Sequence, residues 1–257
     1  MIEFIVCLIA GLGAGIGTGL SGLSAAAVIS PMLITFLGFN SYEAVGIALA
    51  SDVLASAVSA YTYGKNRNLD LRNGWLMLLF VLLFTVVGSF VASLINVETM
   101  GTFSVFMTLF LGVKFVVRPV MTTKEAFAQK DRRMHVIKSI FCGIVIGFIC
   151  GFVGAGGGMM MLLMLTSVLG YELKTAVGTS VFIMTFTAFT GAFSHFAIDG
   201  NMPNLTALAF CVLFTFIGAQ LAAQFANRAQ AKTLNRATGI VLAVLGTFMV
   251  FVRFIYG

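Results

Sequence analysis

The chain has 257 residues, of which 60% are hydrophobic and only 9% charged, with a net charge of +6. A soluble domain carries about 25% charged residues, so this chain lacks the polar side chains to cover a surface in water. That excludes a soluble globular protein, and it recasts the basic excess as loop charge around a bilayer rather than a nucleic-acid surface.

The chain opens Met1-Ile2-Glu3-Phe4, without the basic n-region of a signal peptide, and no A-x-A site follows. The first apolar run is therefore expected to stay as structure. A membrane-spanning helix needs roughly 20 apolar residues. Segments of about that kind occupy 2–19, 23–38, 42–63, 73–95 and 99–117, then 136–152, 157–170, 174–197, 204–226 and 232–255. The predicted fold class is an all-α polytopic membrane protein. Its first membrane repeat covers 1–118, a basic linker 119–135, and a second membrane repeat 136–257. Two junctions lack both charge and loop: Gly17-Thr18-Gly19-Leu20-Ser21-Gly22, and Gly151 to Gly158. Each joins either two short spans or the arms of a re-entrant hairpin.

Basic residues set the orientation. With the segments alternating sides, one side receives Lys65, Arg67 and Arg72, the central loop from Lys114 to Lys138, Lys174, and Arg228, Lys232 and Arg236. The other keeps only Arg253. Lys and Arg stay cytoplasmic, so the expected protein is a multi-pass inner-membrane protein with both termini outside and the central loop inside. That loop mixes charges of both signs and reads as a solvated linker touching anionic lipid. Cys7, Cys142, Cys150 and Cys211 lie in apolar runs without C-x-x-C spacing, as packing thiols do; neither a disulfide framework nor a metal site is expected.

The second half repeats the first at a shift of 132 residues. Glycines 11, 15, 19, 22, 38 and 46 fall on 143, 147, 151, 154, 170 and 178, and Ala44-Val45-Gly46 falls on Ala176-Val177-Gly178. Each half holds an odd number of segments, so tandem halves are expected to sit in opposite orientations. Inverted repeats with interrupted elements are a recurrent plan of secondary transporters, with the site where the interruptions meet near the midplane.

Unpaired backbone at membrane depth is tolerated only inside protein or around a cavity. The run Gly154-Ala155-Gly156-Gly157-Gly158 exposes N–H groups at the start of a helix, which suits an anion without Lys or Arg. The matching break has Gly19, Gly22 and the hydroxyls of Thr18, Ser21 and Ser24. The competing reading is close packing through small residues. Thr179 and Ser180, near the start of the eighth segment, either donate to the anion or bond their own i−4 carbonyls.

The run G-x-x-G-A-G-G-G at 151–158, followed by A-V-G-T-S at 176–180, resembles the sulfite exporter TauE/SafE family, also called the 4-toluene sulfonate uptake permeases. The resemblance spans nearly the whole chain and implies multi-pass transport of sulfur-containing anions such as sulfite or organosulfonates. The first half departs from the pattern, with Ser24-Ala25-Ala26 in place of the glycines and Ile47-Ala48 where Thr179-Ser180 stand later. More of the anion is therefore expected on the second half.

Asp52 lies inside the third segment, and an ionisable group at that depth is costly and points to function. It is a candidate to carry a coupling proton, or to bind a cation such as Na+ with the hydroxyls of Ser51 and Ser56. The structural alternative is a neutral, hydrogen-bonded carboxyl. His195, opposite Tyr63 under the shift, is either a proton relay or an interfacial side chain. Gln220 and Gln224 line a polar path or tie helices together, while Tyr61, Tyr63 and Trp75 fit an aromatic belt.

The expected function is secondary transport of a small sulfur-containing anion, with no cofactor. An anion channel is the first alternative. An intramembrane enzyme is the second, and it lacks a nucleophile–base pair, paired carboxylates or H-x-x-x-H. No Walker motif is present.

Overall fold

The computed structural model of the chain describes residues 2–93, 110, 113–114, 117, 132–153, 157–199 and 203–256. The regular elements among them are all helices: α1 (Ile2–Ser21), α2 (Ala26–Leu37), α3 (Ser41–Lys65), α4 (Leu71–Ser93), α5 (Arg132–Val153), α6 (Gly157–Ser167), α7 (Leu173–Asp199), α8 (Leu205–Arg228) and α9 (Ala231–Tyr256). Most of the apolar segment at 99–117, and most of the linker, lie outside the described residues. α5 begins at Arg132, inside the stretch read as linker.

Five described helices are long and apolar enough to cross a membrane: Ile2–Ser21, Glu43–Lys65, Leu71–Gly88, Leu173–Phe193 and Leu205–Arg228. Their outward residues suit lipid, with Phe90, Phe189 and Phe193 exposed on the helical surface.

At each glycine junction a full-length helix is followed by a short one. α2 has 12 residues and α6 has 11, each about 17 Å long, roughly half the hydrocarbon thickness. The two short helices end alike. Gly38 and Gly170 both adopt left-handed backbone, at φ of 68° and 72°. Past them the amide of Phe39 returns to the Leu33 carbonyl and that of Tyr171 to Leu165. These four residues are equivalent under the 132-residue shift, and the cap is the glycine-terminated type that satisfies orphan carbonyls.

The repeated glycines turn out to seat helices. On α1, Gly11, Gly15 and Gly19 lie against Phe214, Thr215, Ala219 and Ala222 of α8. A Cβ on Gly19 would come within 2.6 Å of the Ala219 carbonyl. The equivalent Gly143 and Gly147 of α5 lie against Met77, Phe80 and Val81 of α4. Removing Cβ lets two backbones approach closely, the device by which membrane helices associate. The rising numbers on both members make α1 parallel to α8, and α5 parallel to α4.

α3 and α7 cross the centre together. Gly46, near the start of α3, lies against Phe196 near the end of α7, whereas Gly178, near the start of α7, lies against Tyr63 near the end of α3. The two helices are therefore antiparallel. A bond from the Asn204 amide to Glu43 Oε1 (2.9 Å) puts the starts of α3 and α8 at one end of the molecule. Asn68, just past α3, donates to Asn227 near the end of α8 (2.6 Å) at the other.

Candidate functional site

The interruption between α1 and α2 is a turn at Gly22, whose φ of +65° suits glycine. Breaking a helix frees carbonyls that need partners in an apolar medium. Thr18 Oγ1 bonds the Leu23 carbonyl (2.7 Å) as well as that of Ala14 (3.0 Å). Tyr63 Oη donates to the Gly19 carbonyl (2.9 Å) and Thr238 Oγ1 to that of Leu20 (3.3 Å). Ser21 Oγ donates to Gly17 (2.6 Å).

Beyond the turn the free donors at the start of α2 converge on one carboxylate. Ser24 Oγ donates to Asp52 Oδ2 at 2.8 Å and Ser56 Oγ donates to Oδ1 at 3.0 Å, and the Ala25 amide faces the same carboxylate. Asp52 is 1% exposed. It lies midway along α3, so α2 runs back along α3 from that level to its start. The carboxylate occupies the place where a helix N-terminus receives an anion.

The second interruption closes on the first. A Cβ on Gly158, in the first turn of α6, would collide with the Gly22 carbonyl and lie 3.0 Å from the Ser24 amide nitrogen and 2.9 Å from Met184 Sδ. A Cβ on Gly22 would strike Ser180 Oγ. Gly22, Ser24, Asp52, Gly158 and Ser180 are therefore one cluster, assembled from the turn between α1 and α2 and from α3, α6 and α7.

The other expected site residues lie elsewhere or face other partners. Gly19 is seated on α8, and the hydroxyls of Thr18 and Ser21 are engaged with backbone. Ser180 Oγ donates to the Val177 carbonyl (2.8 Å), three residues back rather than to the expected i−4 carbonyl. Thr179 Oγ1 accepts from the Asp70 amide (3.2 Å) in the α3–α4 loop. Ser51 turns away from Asp52 and bonds the Ile47 carbonyl (2.8 Å), so only Ser56 of the pair reaches the carboxylate. Gly157 opens α6, whereas Gly154, Gly156 and the side chain of His195 lie outside the described residues.

Three features escaped sequence reasoning. Tyr63 is not an interfacial belt residue: it is fully buried and holds the end of α1, whereas Tyr61 and Trp75 are exposed. The signal was the spacing of Asp52, Ser56, Ser59 and Tyr63, which puts all four on one helical face. Ser59 is buried there with no partner for its hydroxyl. A second polar cluster ties the α3–α4 loop to α7 and α8. In it Tyr171 Oη and Asn73 Nδ2 donate to Asp70 Oδ2 (2.7 and 2.6 Å), and Lys174 Nζ donates to the Asn227 carbonyl (2.9 Å). Burial, reinforced by the Asp70 charge, pushes the Tyr171 phenol well up, which keeps it a donor. Among the described residues no group of His, Cys, Asp and Glu could hold a metal ion.

Comparison with known proteins agrees with the resemblance drawn from the glycine run. The chain is 27% identical to the probable membrane transporter protein YunE of Bacillus subtilis, covering 97% of this chain and 98% of that protein. It is 26% identical to a probable membrane transporter protein of Haemophilus influenzae, over 86% and 79%. It is 22% identical to the probable membrane transporter protein MJ0441 of Methanocaldococcus jannaschii, over 96% and 97%. These relatives are named as transporters, not as enzymes. The sequence profile of the sulfite exporter TauE/SafE family matches residues 7–249, and the chain belongs to that family.

Proposed function

We propose that the chain is a secondary transporter for a small sulfur-containing anion, such as sulfite, a sulfonate or a related oxyanion. It works by alternating access between two inverted copies of one five-segment unit. The observation that carries the proposal is the meeting of the two interruptions, Gly158 against Gly22 and Ser24, deep between α3 and α7. The antiparallel course of α3 and α7 and the matching caps at Gly38 and Gly170 support an inverted duplication. Such a plan brings half-helix termini to the midplane, where substrate and coupling ion bind.

The anion is assigned to the second-half break, Gly154 to Gly158 with Ser180, and coupling to Asp52. Basic-residue placement supports an inner-membrane protein with both termini outside and the central loop cytoplasmic. The close approach of Gly158 to the Gly22 carbonyl and the Ser24 amide favours a carrier over a channel, because it leaves little open path between the breaks.

The test is uptake of labelled sulfite, thiosulfate, taurine, sulfoacetate and sulfate into proteoliposomes. Saturable uptake with counterflow exchange of at least one sulfur anion is expected. Unsaturable conductance would turn the assignment to a channel, and no flux of any of the five would remove the substrate class.

A further inference from the structure

The carrier proposal names Asp52 for coupling without saying how it couples. The contacts of Asp52 supply the device. Its carboxylate is a built-in anion, held by the Ser24 hydroxyl, the Ser56 hydroxyl and the Ala25 amide at the start of α2. The Ser24 and Ser56 hydroxyls, donors that a substrate anion would use on this side of the cluster, are already engaged by the protein's own negative charge. Gly158 and Ser180 of the other half lie directly against the same turn. A second anion arriving there meets both a like charge and occupied donors.

We propose that substrate anion and Asp52 carboxylate compete for the Ser24 and Ala25 donors, so that the anion binds only as Asp52 takes up a proton. The inference rests on the carrier proposal and identifies the coupling ion as H+. The step is a proton transfer alone. A proton joins an Asp52 carboxylate oxygen, Ser24 O–H and Ala25 N–H are released to the anion, and the neutral carboxyl turns its new O–H toward Ser56, whose oxygen accepts as readily as it donates. Proton and anion then cross together as a symported pair, and the empty carrier returns with Asp52 recapping α2.

A Na+ site fits the geometry less well. Two hydroxyls and an amide all present hydrogen to this carboxylate, and Ser51 is turned onto Ile47. Ser59, buried with its hydroxyl unpartnered, lies one turn beyond Ser56 on the same face, with Tyr63 the next turn on.

The helices packed on α3 are α1, α2, α7 and α8. α2 carries no ionisable side chain. The others carry theirs toward their ends: Glu3 and Cys7 on α1, Lys174, His195 and Asp199 on α7, Cys211 and Arg228 on α8. On α3 itself Tyr42, Glu43, Tyr61, Tyr63 and Lys65 are also terminal. Among the described residues, Asp52 is the ionisable group at the break.

The experiment measures binding of thiosulfate and of ethanesulfonate, neither of which titrates near neutrality, to the purified full chain across a pH series. Proton uptake is followed in weak buffer. Wild-type affinity is expected to rise about tenfold per unit fall in pH, with about one proton taken up per anion bound. Asp52→Asn should bind with no pH dependence and no proton uptake. Ser24→Ala, which keeps the carboxylate, should weaken binding at low pH severalfold and guards against a misfolded Asp52→Asn. Wild-type binding that ignores pH and takes up no proton would overturn the competition while leaving the carrier intact. Failure to bind either anion at any pH would count against the carrier proposal itself.

Discussion

The two short helices that follow the interruptions end alike and differ in what stands against their starts. Both short helices end on a left-handed glycine with the same returning amide, and both begin against the middle of the following long helix. Under the shift, however, Asp52, Ser56, Ser59 and Tyr63 of α3 correspond to Met184, Ala188, Gly191 and His195 of α7. The first-half terminus is capped by the protein's own carboxylate. At the second, Met184 Sδ takes the corresponding place beside Gly158. Equivalent positions thus hold a carboxylate in one half and a neutral thioether in the other.

Several substitutions would break or sharpen that contrast. The largest effect is expected from Gly158→Leu, whose side chain has no space between the Gly22 carbonyl and Met184. Uptake should fall to the level of empty vesicles with membrane insertion unchanged; near-normal uptake would separate the two breaks from the site. Next comes Met184→Asp, which gives the second half the carboxylate of the first. Thiosulfate affinity should drop about tenfold or more, equivalent to 1.4 kcal/mol, and an unaltered affinity would mean that the anion does not sit at α6.

Tyr63→Phe leaves the Gly19 carbonyl unpaired in an apolar setting, a loss of about 1–3 kcal/mol. A lowered unfolding temperature in detergent would register it, and an unchanged one would show that another group reaches that carbonyl. The smallest effect belongs to Ser51→Ala. Its hydroxyl serves only the Ile47 carbonyl of its own helix, so stability should move by no more than about 0.5 kcal/mol. The pH dependence of thiosulfate binding should also survive; its loss would return Ser51 to the coupling site.

The helices were largely legible in advance. α1, α3, α4, α7 and α8 begin and end within about three residues of apolar segments read from composition alone, because a bilayer rewards continuous apolar helices. The recurrence of the glycines at a shift of 132 residues was equally plain. The use of those glycines was not: Gly11, Gly15 and Gly19 mark a helix contact with α8 as well as the approach to a break, and a one-dimensional pattern cannot separate the two. Asp52 stood out as a costly charge, yet its partner Ser24 is 28 residues away, and Ser51 beside it looked as eligible as Ser56.

What the amino-acid sequence determined alone is what local physics decides: which stretches are helical, where glycines interrupt the apolar runs, which loops carry the charge, and that the glycines of the first half recur in the second at one fixed shift. Those follow from apolar length, glycine placement and Lys/Arg counts, each read over neighbouring residues. Only the tertiary structure decided which hydroxyl meets the carboxylate, that Tyr63 is buried rather than interfacial, and that Gly158 reaches Gly22 across the molecule. Hydrogen bonds act over about 3 Å between atoms that the chain brings together from distant positions, so the folded packing has to exist before such partners can be assigned.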